Sequence, residues 1–452
     1  MEVAARVPLK RVLKMVSCRM ILNTLSRLFW AFGLVSGWTS ALAQVPTPQP
    51  PTRMPDRVIL NVTATPETSF AVNWRTDTTV ATGTLEWTVA TDGPEFAEQV
   101  DRQPARRELL QVKQDDGVKV IAHYFSAHVE GLTPGRRYVY RVGNRDAWSE
   151  WYQLRLPDMR HQKLSFLYFG DAQNEIKSMW SRVIREAFKT APQVDFMLHA
   201  GDLIHHYDND AEWGEWFYAG NFLHAMVPSL ATPGNHEYHH GRLSPQWQPQ
   251  FNLPQNGPAG LKETCYAVNY SDLKVISLDA VQIDHVLGRR KRQLEWLDSV
   301  LTNDPRKWTV VTLHYPVFST AEGRDNEKLR ERLKPLLDKH HVDLVLQGHD
   351  HAYGRGRVGN VPTGAAYSDR TSGTMYVVSV SGPKMYGLSA SPWMERRAGN
   401  TQLFQVIHIE GDVLSYEAFT ATGTLYDAFD LQKTAGKLNT LINKIPPVDE
   451  RR

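Results

Sequence analysis

Apolar positions recur every second residue from about residue 57 to 157. Phe70, Val72 and Trp74 alternate with polar neighbours, as do Leu85, Trp87 and Val89. Tyr124, Ser126, His128 and Val129 lead into the turn Gly131-Leu132-Thr133-Pro134-Gly135, after which Tyr138, Tyr140 and Val142 resume the alternation. Period two broken by such turns predicts a small antiparallel β-sandwich without helices. From about residue 163 the period changes. Ile176, Met179, Trp180, Val183, Ile184, Ala187 and Phe188 have helical spacing, as do Leu294, Leu297, Val300 and Leu301, and Leu329, Leu333, Leu336 and Leu337. Short apolar runs between these helices predict a parallel or mixed sheet. After residue 373 the runs Met375–Val380, Leu403–Ile409, Val413–Phe419 and Leu425–Phe429 suggest a second, more antiparallel sheet packed on the first. Residues 432–452 read as a polar, partly helical tail.

The chain has 452 residues, 42% hydrophobic and 22% charged, which suits two or three domains with buried cores. Its first 43 residues read as an export signal: a basic start, an apolar run from Leu28 to Trp38, then Ala41-Leu42-Ala43. The apolar run is too short and interrupted for a stable membrane span. Residues 44–56, rich in proline, read as a linker. Cleavage removes six Lys/Arg and one acid, so a net +2 becomes 2 − 5 = −3. A mildly acidic protein lacks the basic footprint of a nucleic-acid binder. Cys265 is then the single cysteine; it reads as a core thiol, and one cysteine supports no internal disulfide framework.

Five apolar runs end in metal-ligand residues. Leu164–Phe169 runs into Gly170-Asp171, and Phe196–Ala200 into Gly201-Asp202. Ser229–Pro233 runs into Gly234-Asn235-His236-Glu237, Thr309–Leu313 into His314, and Val342–Gln347 into Gly348-His349-Asp350-His351. Ligands in open α/β sheets bind beyond the carboxyl ends of the strands. Oxygen and imidazole donors suit Mn, Fe or Zn rather than a thiolate metal. Two carboxylates and three imidazoles can hold two cations if one carboxylate bridges them, and a dimetal site suits in-line attack at phosphorus.

These five motifs, in order, resemble the calcineurin-like metallophosphoesterase family. With the sandwich in front, the chain is similar to bacterial purple acid phosphatases. The resemblance implies an α/β four-layer sandwich (two central mixed sheets flanked by helices) at 163–430, preceded by an all-β fibronectin type III-like sandwich at 57–157, with 431–452 left as tail. It implies Asp171 as a ligand of the first metal, Asp202 as the bridge, Asn235, His314 and His349 on the second metal, and His351 on the first. His236 would contact phosphate as an outer-sphere acid.

The chain departs from that family twice. Asp171-Ala172-Gln173 stands where Asp-x-Gly is usual, and His205 replaces the tyrosine that colours the family. His205 and Gln173 are both candidates for the missing ligand or for supporting positions. Without a tyrosinate, charge balance favours two divalent ions, Mn, Zn or Fe. His206, Tyr207, His239 and Tyr315 lie near ligands in sequence and are candidates for a substrate pocket. His199 reads as a hydrogen-bonded core or supporting histidine. The expectation is an exported, periplasmic or secreted hydrolase of small phosphomonoesters. Phosphodiester hydrolysis on the same metal core is the alternative; an adhesion or binding protein with a vestigial metal site is the reading from a different class.

Overall fold

The computed structural model describes residues 46, 48–145, 147–158, 163–358, 373–434 and 437–452. The export-signal reading of residues 1–43 lies outside them. Among the described residues no helix is long and apolar enough to cross a membrane.

Eleven strands form one continuous sheet. Its order is Lys437–Asn443, Leu425–Thr434, Val413–Thr420, Leu403–Glu410, Lys163–Phe169, Phe196–His199, Ser229–Ala231, Asp56–Asn61, Phe70–Thr76, Lys119–Val129 and Arg106–Lys113. Seven more form a second sheet: Tyr266–Asn269, Leu273–Leu278, Trp308–Leu313, Leu344–Gln347, Met375–Val378, Tyr353–Arg357 and Arg396–Ala398. A smaller sheet containing Thr84–Val89 and Arg137–Asn144 completes the β-rich N-terminal part.

Strand periodicity explains the packing of the two large sheets. Val310 and Val311 are neighbours in one strand, so they face opposite ways. Val310 joins Val275, Leu344 and Val377 against Phe166, Leu198 and Leu230 of the eleven-stranded sheet. Val311 joins Ile276, Val345 and Val378 against Leu297, Leu301, Leu333 and Leu337. Those leucines lie on the helices Leu287–Asn303 and Glu327–Lys339, at the spacing that gives each helix one apolar face. A strand buried on both faces reads as an unbroken apolar run, which is why Trp-Thr-Val-Val-Thr-Leu shows no alternation.

Three sequence expectations are corrected here. The five ligand-tipped strands do not share one sheet: three belong to the eleven-stranded sheet and two, ending before His314 and Gly348, to the seven-stranded one. The strands after residue 373 do not make a separate sheet. Met375–Val378 pairs in parallel with Leu344–Gln347, whereas Leu403–Glu410 extends the first sheet antiparallel to Lys163–Phe169. The expected helical tail is instead a strand, Lys437–Asn443, which pairs with Leu425–Thr434 and covers that strand's unpaired backbone edge.

The N-terminal part is not a freely tethered module. Asn61 pairs in parallel with Ser229, and the Val62 N–H donates to the Ser229 carbonyl at 3.1 Å. Consequently Phe70–Thr76 is buried on both faces. Its polar positions meet the other part of the chain: Asn73 Nδ2 donates to the Pro249 carbonyl at 3.0 Å, and Arg75 Nη1 donates to Asp210 Oδ2 at 3.1 Å. The alternation at Phe70, Val72 and Trp74 correctly marks a strand, but its polar side faces protein rather than water.

Candidate metal centre

Each ligand candidate sits just past a strand end, where the chain turns sharply. Asp202, His349 and His351 have φ of 51°, 74° and 45°. Left-handed backbone at non-glycine residues costs of order 1–3 kcal/mol each and persists only where the surroundings enforce it. Two glycines permit the close approach. A Cβ on Gly348 would lie 2.2 Å from Asp171 Oδ1, and one on Gly234 would lie 2.1 Å from Asp202 Oδ1.

Two triads of donor atoms result: Asp171, Asp202 and His351, and Asp202, His314 and His349, each within 4.8 Å of one another. Asp202 is common to both. Asn235 joins the second, its Oδ1 3.1 Å from His314 Nε2. Backbone carbonyls set the imidazole tautomers: His314 Nδ1 donates to Ala200 at 2.9 Å and His351 Nδ1 to Lys384 at 2.9 Å. Each Nε2 lone pair is thereby turned inward, 3.1 Å from Asp202 Oδ2 and 3.0 Å from Asp171 Oδ2 respectively. Asp171 Oδ2 is buried with no hydrogen-bond donor, an arrangement costly for a carboxylate unless a cation faces it. Burial works to raise both carboxyls, yet the neighbouring imidazoles hold Asp171 and Asp202 below their ordinary range. Burial likewise opposes a charge on His314, but Asp202 and Asp171 raise it to about 10. His349 is lowered to about 3 by burial and by His314. The cluster thus concentrates negative potential where a cation would replace a proton, and its donors fit two metal ions.

Around this cluster, Gln173 lies closer to the ligand candidates than His205 does. Its Nε2 donates to Asp202 Oδ2 at 3.0 Å and lies 2.9 Å from His351 Nε2. His205 stands behind it, Nδ1 donating to Gln173 Oε1 at 3.0 Å. Burial first, then the His236 and His206 charges, lower His205 to about 4 and leave its ring neutral. The structure therefore brings Gln173, and not His205, against the ligand atoms. His236 stacks on His205 with centroids 4.7 Å apart. Its Nδ1 donates to the His205 carbonyl at 2.5 Å, which leaves Nε2 4.0 Å from Asp202 Oδ2.

The pocket candidates divide. His206, Tyr207 and His239 line a cavity of about 480 Å³ together with Asn235 and His236. Tyr207 stacks on His239 at 4.8 Å, and His206 Nδ1 donates to Glu212 Oε1 at 2.6 Å. Tyr315 instead packs on His349, with centroids 4.6 Å apart. Part of the cavity wall was not foreseen: Gln114, Asp115 and Asp116, the turn after strand Arg106–Lys113 of the N-terminal part. Asp208 Oδ2 accepts from the Asp115 N–H at 2.8 Å and holds that turn in place. His199 lies in the core, as expected, but without the expected hydrogen bond. Neither ring nitrogen has a hydrogen-bond partner; the ring stacks on Phe169 at 5.4 Å, and burial keeps it neutral.

Sequence reasoning also missed Glu237. It is fully buried and accepts N–H bonds from Asp202 (2.9 Å), Leu203 (2.7 Å), Ile204 (3.3 Å) and Gly234 (2.6 Å). Burial and the Asp202 charge raise its carboxyl to about 8. An acid directly after Asn235-His236 was the available signal, since buried acids beside ligands are rarely incidental.

Two donor triads sharing one carboxylate at the strand ends form a site suited to metal-dependent phosphoester chemistry. The calcineurin-like phosphoesterase pattern matches residues 164–353, and that of the purple acid phosphatase N-terminal domain matches residues 55–156. The chain thus carries a calcineurin-like phosphoesterase domain behind a purple acid phosphatase N-terminal domain. It is 27% identical over 360 residues to the uncharacterised protein Rv2577 of Mycobacterium tuberculosis, covering 69% of this chain and 66% of that one. It is 28% identical over 247 residues to acid phosphatase type 7 of Homo sapiens, covering 50% and 55%. The chain thus spans about half to two-thirds of the length of these relatives. Its fold is similar to that of purple acid phosphatase PPD1 from yellow lupin seeds, with a TM-score of 0.70, 19% identity, and 85% and 75% of the two chains covered.

Proposed function

We propose that this chain hydrolyses phosphomonoesters at a centre of two divalent cations, Mn, Zn or Fe. Asp171 and His351 would hold one, Asn235, His314 and His349 the other, and Asp202 would bridge them. The observation that supports this most is that one carboxylate, Asp202, belongs to both donor triads. Bound there, the cations supply an activated water and Lewis acidity toward the phosphoryl group. The chain's own residues do the rest. Glu237 fixes the Asp202 turn, Gln173 orients the Asp202 and His351 donor atoms, and the carbonyls of Ala200 and Lys384 keep the imidazoles in the binding tautomer. His236, anchored through Nδ1, presents Nε2 to give a proton to the departing alkoxide.

The sandwich of residues 57–157 is read as fibronectin type III-like, and 163–430 as a four-layer catalytic domain; helices packed outside the seven-stranded sheet support the latter. Export to a periplasm or the medium follows from the reading of residues 1–43. The test is Asp202→Ala, assayed for metal content and for turnover of a monoester and a diester chromogenic substrate. Loss of activity and of metal is expected, with the monoester preferred by the wild type. Full metal occupancy and normal turnover in the variant would refute the site assignment, and preferred diester turnover would refute the substrate class.

A further inference from the structure

One cation at the metal centre has no role in the chemistry above. The segment from Ser381 to Tyr386 is clamped to two ligand positions. The Asp171 carbonyl accepts from the Ser381 and Gly382 N–H groups at 3.1 and 2.5 Å, and the Tyr386 N–H donates to the His351 carbonyl at 3.2 Å. The Lys384 carbonyl receives the His351 Nδ1–H bond at 2.9 Å. The Lys384 side chain leaves that anchored backbone and lies over the Tyr386 ring, Nζ 5.4 Å from its centroid. The ring is in turn 4.6 Å from the ring of His351.

Arg324 sits over the same ring, Cζ 4.6 Å from the centroid. It is committed: Nη1 donates to Asp350 Oδ1 at 3.3 Å and to the His349 carbonyl at 3.4 Å. Lys384 is not committed in this way. Among the described residues no carboxylate lies within ion-pair distance of it. Its charge reaches His205, adding to burial and to the His236 and His206 charges there. An ammonium held half-buried beside a cation centre is unfavourable unless an anion comes to it. Lys384 belongs to neither donor triad, so its charge is available to an anionic group other than the phosphoryl that the cations would hold.

We propose that Lys384, supported by Tyr386 and Arg324, is a second-anion subsite that favours phosphoesters carrying another anionic group, a carboxylate or second phosphate, near the scissile phosphoryl. This rests on the phosphoesterase reading. Metal-loaded protein is titrated calorimetrically with methylphosphonate, which offers the phosphonate alone, and phosphonoacetate, which adds a carboxylate. The wild type is expected to bind phosphonoacetate about tenfold more tightly, the effect of ~1.4 kcal/mol. Lys384→Met should abolish that ratio with little change for methylphosphonate, and Lys384→Arg should restore most of it, with metal content constant in all three. An unchanged ratio in Lys384→Met overturns the proposal. So does an equal loss for both ligands, which would place Lys384 on the scissile phosphoryl. Metal loss from both variants would reduce Lys384 to structural support for His351. Absence of methylphosphonate binding by the wild type would overturn the phosphoesterase reading itself.

Discussion

The backbone N–H of Asp202 donates to Glu237 Oε2 at 2.9 Å, and the same oxygen accepts from Gly234 at 2.6 Å. One carboxylate thus ties together the two turns that carry Asp202 and Asn235. Removing it leaves four buried N–H groups without an acceptor, each costing about 1–3 kcal/mol. Glu237→Ala should lower the melting temperature by several degrees and deplete metal, although Glu237 is not itself a ligand. Thermal denaturation with elemental analysis checks this. A variant with wild-type stability and metal content would show that the turns hold without it.

His236→Ala should slow turnover while metal stays bound, because its Nε2 points into the site and belongs to neither triad. An outer-sphere acid contributes about 10²–10⁴-fold. The loss should shrink for esters of very acidic alcohols, which leave without protonation. A leaving-group series reads this directly, and an equal loss across the series would assign His236 to phosphate positioning alone.

The neutral Gln173 amide lies against Asp202 and His351, and Tyr207 stacks on His239. Among the described residues, the position of the family's tyrosine thus offers no phenolate to a ferric ion. Active, metal-replete protein should contain two divalent ions and show no tyrosinate-to-iron absorption in the visible range. A strong charge-transfer band with one ferric ion per site would contradict this.

Asp210 links the two parts of the chain. It accepts from Arg57 Nη1 at 2.8 Å and Nη2 at 2.9 Å, and from Arg75. Burial acts to raise its carboxyl, but the Arg57 and Arg75 charges outweigh this and hold it below the ordinary value. A carboxyl depressed in the folded state stabilises above its unfolded pKa, about 3.9, and that stabilisation disappears as pH falls through the folded value. Wild-type stability should therefore decline steeply below about pH 4. Asp210→Asn should be less stable at pH 7 by ~3 kcal/mol, since two buried guanidinium groups lose a partner, and its acid decline should be shallower. Melting temperatures between pH 3 and 7 test both parts.

The sequence by itself determined most of the elements and which donor candidates stand at strand ends. Strand and helix periods are local properties, and a strand end followed by Gly-Asp, Gly-Asn-His or Gly-His-x-His is visible without knowing what faces it. The helices bearing Leu297 and Leu333 and the strand bearing Val72 lie where their spacing places them. Tertiary structure decided which sheet each strand joins, because pairing partners far apart in sequence compete for the same edges. That is why Met375 and Leu403 part company although both lie in similar apolar runs. Tertiary structure also decided between Gln173 and His205. Both residue types can bind metal, and only the turn after Asp171 brings the amide to the ligand atoms with His205 behind it. Arg75 is a polar neighbour in the alternation of Phe70, Val72 and Trp74 and is nonetheless buried, because the sheet continues into the part of the chain that carries the donor candidates.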